Sequence, residues 1–238
     1  MNPPDLPADP PDLAPTPSRT LLYGSAGLAA LLLIGMAGLT LYATSHLPAD
    51  AQIPTHWGPS GAPDAWGSPR SLWIMPGVSL FTAILLFIVP RFEPRRSHLL
   101  RSSRSYALTG LGILGFLAGM HVVMVLIALG HPVDMLKFVT FGMGLLFLVI
   151  GACMGNIQSN YIYGIRNKWT LSSERAWQKT HALGSKLFML FGLALFGAGF
   201  TSNPGNTMIA LMLIGIPILL LATFIYSHRV WKNDPERT

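Results

Sequence analysis

Apolar residues are gathered into six long uncharged runs, Leu21–Ala43, Ser71–Pro90, Tyr106–Gly130, Phe138–Met154, Leu187–Ser202 and Thr207–Ser227, which together hold 122 of the 238 residues. At ~1.5 Å rise per residue, ~20 helical residues cross a ~30 Å hydrocarbon layer. The first three runs and the sixth reach that length, whereas the fourth and fifth, with 17 and 16 residues, are marginal. The fifth can lengthen backwards through Gly184–Ser185–Lys186, because a lysine stem lies along apolar surface while its ammonium reaches the interface. Asn203–Pro204–Gly205–Asn206 separates the last two runs, since Pro and Gly mark a tight turn. The pattern predicts an all-α integral membrane protein, a six-helix transmembrane bundle, with Pro76 and Pro217 as expected kinks in helices two and six.

Composition supports the same class. Only 11% of residues are charged and the mean hydropathy is +0.47, against about 25% charged residues in a soluble domain. A soluble fold of this length would lack a charged surface. The positions of the bases predict orientation. Placing both termini in the cytoplasm puts fourteen of the sixteen Lys and Arg inside, with Arg70 and Lys137 the exceptions. This N-in/C-in arrangement satisfies the positive-inside rule. The net charge of +6 is therefore explained by topology and anionic lipid, and no nucleic-acid partner is implied.

The chain divides into an expected disordered Pro-rich cytoplasmic tail at 1–20, helices one and two with a structured outer loop 44–70 across 21–105, helices three to six with an inner segment 155–183 across 106–228, and a cytoplasmic tail at 229–238. Residues 1–18 carry seven prolines, three aspartates and no base. They lack the basic region of a signal peptide, so the first run is expected to be a retained helix. Cys153, the single cysteine, excludes an intramolecular disulfide and any multi-cysteine metal site. Gly115–x3–Gly119 and Gly151–x3–Gly155 are spacings that permit close helix approach within one bundle.

Two polar segments carry more chemistry than connectors need. Residues 47–67 hold four prolines and three glycines, which predict successive turns, with Ile53, Trp57 and Trp66 available to pack on the membrane surface. Asp50, His56 and Asp64 could meet as a metal or acid–base set, but their spacing matches no standard ligand pattern, and turn-forming Asp with an interfacial His is the simpler reading. The second segment, 155–181, has Ser172 or Ser173 placed to cap a helix whose first turn contains Glu174. Trp177, His181 and Gly184 then share one face. Tyr161, Tyr163, Trp169 and Trp177 suit the headgroup belt. Asn156 and Asn160 fall one turn apart at the expected inner end of helix four, where structural anchoring is the simplest role.

The inner segment resembles the signature of the SdpI-type immunity protein family, carried by Asn156, Asn160, Gly164, Ile165, Arg166, Trp169, Thr170, Leu171, Ser172, Trp177, Thr180 and His181. The outer loop resembles a small domain of unknown function often fused ahead of that segment, matched by Leu47, Pro48, Ile53, Pro54, His56, Gly61, Pro63 and Asp64. The chain departs from the family pattern at Gln158–Ser159, where Lys-Pro is frequent, and at Arg166–Asn167–Lys168–Trp169, where Arg-Thr-Pro-Trp is frequent. The resemblance implies a bacterial multi-pass protein of the cytoplasmic membrane that gives resistance to a secreted, membrane-active toxin peptide. It also implies signalling, with the toxin met at the outer face and a cytoplasmic repressor held at the inner face. It supplies no catalytic residues, cofactor or metal.

Two other classes are less well served by these residues. A small-solute transporter or channel usually needs ionisable groups within the membrane. No Asp, Glu, Lys or Arg lies in the six runs, and His121, alone in mid-helix, is expected to bond a neighbouring helix. A membrane-embedded enzyme would need a nucleophile–base pair or metal cluster. The best inner set is His181 with Glu174 and Thr180, and the best outer set is His56 with Asp64; neither has recognisable catalytic spacing. The residues expected to carry function are thus Asn156, Asn160, Gly164, Arg166, Trp169, Trp177 and His181 on one face and His56, Trp57 and Asp64 on the other.

Overall fold

A computed structural model describes residues 19–237; the expectations for residues 1–18 lie outside the described residues. The six apolar runs become helices α1 (Arg19–His46), α2 (Ile74–Ile88), α4 (Ser103–Ala128), α5 (Met135–Met154), α7 (Glu174–Ala198) and α8 (Pro204–Lys232). With the short helical turns that flank α2, all six are long and apolar enough to cross a membrane. Two short helices lie at one end of the bundle, α3 (Arg96–Arg101) before α4 and α6 (Lys168–Leu171) before α7. At the other end, strands β1 (Ile53–Trp57) and β2 (Pro63–Gly67) pair antiparallel.

The helices form two groups of three. In one, α1, α2 and α4 pack together; in the other, α5, α7 and α8 do; α4 and α5 join the groups. The closest pair is α5 with α7, and glycines permit it. A Cβ on Gly144 would meet the Phe196 backbone at 2.6 Å, one on Gly192 the Gly144 carbonyl at 2.8 Å, and one on Gly151 the Met189 backbone at 2.8 Å. Small residues let membrane helices approach where no water-driven force brings them together. Of the Gly151–Gly155 spacing, only Gly151 serves this seam, because Gly155 caps α5.

Helix ends follow local chemistry. Pro204 opens α8 in its first turn, so the Asn203–Asn206 turn separates two helices as its composition requires. Asp134 caps α5 by accepting from the Lys137 amide at 2.9 Å. The fifth apolar run is the one whose boundary shifts. Ser173 caps the helix, so α7 begins at Glu174 and takes in Arg175, Lys179 and an exposed Lys186. The amphipathic stretch and the fifth span are one continuous helix of 25 residues. Pro217 lies inside α8, while Pro76 falls in the first turn of α2.

Candidate functional site at the two ends of the bundle

The hairpin end is closed by apolar packing. Ile53 is buried with Ala43, Leu72, Val123, Met124, Val125 and Met135, and the half-buried Trp57 packs on the same cluster. Alternation along β1 places Ile53 inward and His56 outward. The turns expected between the prolines are present, held in a hairpin with an irregular register near His56. Gly61 takes a φ of +86°, a conformation that favours glycine. Its neighbour Pro59 presents a carbonyl to Gly205 of α8, and Leu136 of α5 packs beside both glycines. The hairpin of the first helix group therefore reaches the second group. His56 Nδ1 and Asp64 Oδ1 are 2.5 Å apart, both largely exposed, and Asp50 stands apart in an exposed turn. Among the described residues no group of three His, Cys, Asp or Glu side chains could hold a metal ion.

The opposite end is built from hydrogen bonds between buried groups. Asn160, fully buried, accepts at Oδ1 from the Ile162 and Tyr163 amides at 2.9 and 2.7 Å and donates through Nδ2 to the Gln158 carbonyl at 2.8 Å. One side chain thus folds the turn 158–163 around itself. Gly164 follows at φ +116°, where a side chain would be strained and would also collide with the His181 ring. This close approach lets the Ile165 amide donate to His181 Nε2 at 3.0 Å. His181 Nδ1 lies 2.8 Å from the Trp177 carbonyl, so the partners assign the proton to Nδ1 and leave Nε2 as acceptor. Trp177, with no exposed surface, stacks on His181 at 4.1 Å between ring centres and donates from its indole to the Ile157 carbonyl at 2.6 Å.

Asn167 forms a reciprocal capping box with Thr170 at the start of α6. It also reaches α8, donating to Ser227 Oγ at 2.9 Å, while Trp169 packs edge-on against Phe224. Arg166 is exposed and donates to the Tyr161 carbonyl. Ser173, the α7 cap, donates to Asp234 Oδ2 at 2.5 Å. That hydrogen bond holds the Asp234 carboxyl below its ordinary range. Burial pushes the Tyr163 hydroxyl up to about 12, so it stays protonated while sharing a hydrogen bond of 2.6 Å with Thr109 of α4.

The connector from α2 to α4 completes this end, through residues that sequence reading missed. Glu93, only 4% exposed, accepts from the Arg95 amide at 2.9 Å and from the Tyr161 amide at 3.1 Å. The Arg95 guanidinium donates to Ser159 Oγ and, at 3.3 Å, to the Leu171 carbonyl, and lies over the Tyr161 ring. His98 Nδ1 is 2.9 Å from the Ser159 carbonyl, and Ser102 Oγ accepts from the Gln158 amide at 2.8 Å. The departure from the family pattern at Gln158–Ser159 is therefore a contact with the first helix group.

Several expectations change. Asn156 and Asn160 are not one helical turn apart, because α5 ends at Met154 and Gly155 caps it; Asn156 is exposed beyond that end. Trp169 and Trp177 are buried within the protein, Trp169 against Phe224 and Trp177 with Met154 and Ile157. The inner catalytic set does not assemble: Glu174 is exposed and accepts from Gln178, while both His181 nitrogens are engaged with backbone. His121 is buried and bonds α1 as expected, with Nε2 3.0 Å from Thr40 Oγ1 and 3.1 Å from the Met36 carbonyl.

Comparison with known proteins finds a match at each end. Residues 156–227, which span the hydrogen-bonded end, α7 and most of α8, match the SdpI/YfhL protein family. Residues 31–80, which include the hairpin, match a domain of unknown function, DUF1648. The chain is 21% identical over 182 residues to the Immunity protein SdpI of Bacillus subtilis (strain 168), covering 76% of this chain and 84% of that protein. No solved structure matches it significantly. The resemblance read in the sequence is found again in both segments: this is a multi-pass membrane protein with one stretch similar to DUF1648 and a later one similar to the SdpI/YfhL family.

Proposed function

We propose that this protein confers resistance to a membrane-active toxin peptide, and that it does so from the bacterial cytoplasmic membrane without a catalytic step. The observation that carries the reading is the likeness to an immunity protein over most of both chains. The geometry adds a physical basis. Two groups of three helices are tied at one end by an apolar hairpin and at the other by a polar network, so a peptide that binds one tie can alter how the groups meet at the other. In this reading the hairpin end, with His56, Trp57 and Asp64, faces outward and meets the peptide. The basic end, with Asn156, Arg166 and the surface around α6, faces the cytoplasm and offers a platform to a repressor. The basic residues support that orientation: Arg70 and Lys137 lie at the hairpin end, and the other fourteen at the opposite one.

Expression in a peptide-sensitive bacterial host, followed by challenge with a panel of secreted membrane-active peptides, tests the reading. Increased survival against at least one peptide is expected. Survival equal to that of the empty host across the panel, with the protein shown to be in the membrane, overturns it. Reporter fusions after residue 238 and within residues 58–62 test orientation separately, and a cytoplasmic hairpin would reverse the two faces.

A further inference from the structure

Beside the polar network, where α1, α2 and α4 of the first helix group meet the connector, lies a cleft of about 610 Å³ that none of the bonds above uses. Leu86 and Phe87 of α2 and Leu99 and Leu100 of α3 form much of its lining, with Arg91 and Arg96 among the residues around it. The cleft lies where the last turns of α2 run into the connector, at the basic end of a helix that is long enough to span the membrane. A space this size falls in the range of small-ligand sites.

Its charge is unbalanced for a specific reason. The connector 91–104 carries five arginines and a single acid, Glu93. That acid is turned inward, buried at 4% exposure, with its oxygens accepting from the Arg95 and Tyr161 amides. Arg95 is engaged with Ser159, Tyr161 and Leu171 on the opposite side. Arg91 and Arg96 are both exposed, and among the described residues neither has an ion pair or side-chain hydrogen bond. Folding therefore withdraws the local carboxylate and leaves two guanidiniums beside an apolar cleft.

We propose that this cleft is a binding site for one anionic phospholipid, with an acyl chain against Leu86, Phe87, Leu99 and Leu100 and the headgroup phosphate between Arg91 and Arg96. Guanidinium is suited to phosphate because its fork of N–H donors matches the oxygens two at a time. Basic pockets between membrane helices select anionic headgroups in this way. A bound lipid would also brace the connector that carries Glu93 and Arg95, and so the tie between the two helix groups. The site is independent of the toxin-resistance reading, since it uses neither the hairpin nor a partner.

Native mass spectrometry of the full-length protein, released from nanodiscs of equal phosphatidylglycerol and phosphatidylcholine, tests the proposal. The wild-type protein is expected to retain a single phosphatidylglycerol over phosphatidylcholine by roughly tenfold, consistent with two basic contacts near a membrane surface. Arg91→Gln/Arg96→Gln is expected to abolish that preference while keeping the wild-type thermal transition, because both side chains are exposed. Leu100→Trp, which fills the cleft and keeps both charges, is expected to reduce retention as well. Equal retention of the two lipids, or a preference that survives the double substitution, overturns the proposal. Displacement of the lipid by millimolar inorganic phosphate would overturn it differently, by showing a free-phosphate site. Loss with the charge variant but not with Leu100→Trp would remove the acyl-chain half.

Discussion

The two ends of the bundle perform the same mechanical task with opposite chemistry. At the hairpin end, Ile53 and Trp57 seal an apolar cluster, Leu136 and Gly205 receive the hairpin tip, and the hydrogen-bonded pair His56–Asp64 is left in the open. At the other end, Glu93, Asn160, Trp177 and His181 are all buried and all hydrogen-bonded. The difference lies in how each end fails. Apolar contacts weaken in proportion to the surface lost. A buried hydrogen-bonded network fails by leaving partners unsatisfied, which costs more than the bond itself contributes. The hairpin end is thus free to vary its exposed side chains, whereas the polar end is constrained residue by residue.

The largest effect is expected from Trp177→Ala, which opens a cavity at the centre of the polar end and orphans the Ile157 carbonyl. A loss of about 3–5 kcal/mol is the ordinary range for such a truncation. Thermal denaturation in detergent should show it, and an unchanged transition would mean that this end does not support the fold. Asn160→Leu comes next. It keeps the volume and removes the acceptor of two buried amides, at an expected cost of about 2–4 kcal/mol; hydrogen exchange should rise first at Ile162 and Tyr163. On the apolar side, Ile53→Val should cost about 0.5–1.5 kcal/mol and leave exchange at the polar end unchanged. Coupled exchange at both ends would break this contrast.

The tie between Ser173 and Asp234 gives a pH test. Its folded carboxyl is held below the ordinary value, so its contribution is fully present above about pH 4 and is lost as pH falls through the lower folded value. The last residues, 233–237, should loosen on acidification within that window, read as Trp231 fluorescence. Asp234→Asn should remove this pH dependence, and the same response in the variant would assign it elsewhere. The smallest effect is expected from Asp64→Asn. An exposed pair contributes about 0–1 kcal/mol, so stability should barely move. A large loss of stability would show that the hairpin end too depends on a polar contact.

How far the sequence carried the reading differs between the two ends as well. Ser172 or Ser173 could be placed as a cap, and Trp177, His181 and Gly184 on one helix face, because capping and helical periodicity act over a few residues. Glu93 could not. In a stretch with five arginines it reads as a solvated charge, and its burial depends on the Tyr161 amide, 68 residues away. Asp234 and His98 were hidden for the same reason, since their partners Ser173 and Ser159 lie 61 residues from each. Asn156 was placed on a helix that ends at Met154, because the Gly151–x3–Gly155 spacing gives no sign of which glycine packs, as Gly151 does, and which caps, as Gly155 does.

Six membrane-spanning helices, their approximate limits and the separation of bases to one end are properties of the sequence alone. They follow from the length of apolar runs and the cost of placing charge in hydrocarbon, and neither depends on which helices meet. The grouping of α1, α2 and α4 against α5, α7 and α8, the inward turn of Glu93 and the resulting pair of arginines without a partner among the described residues are decided only by tertiary structure. Each requires groups tens of residues apart to meet within about 3 Å, and no local pattern along the chain specifies that meeting.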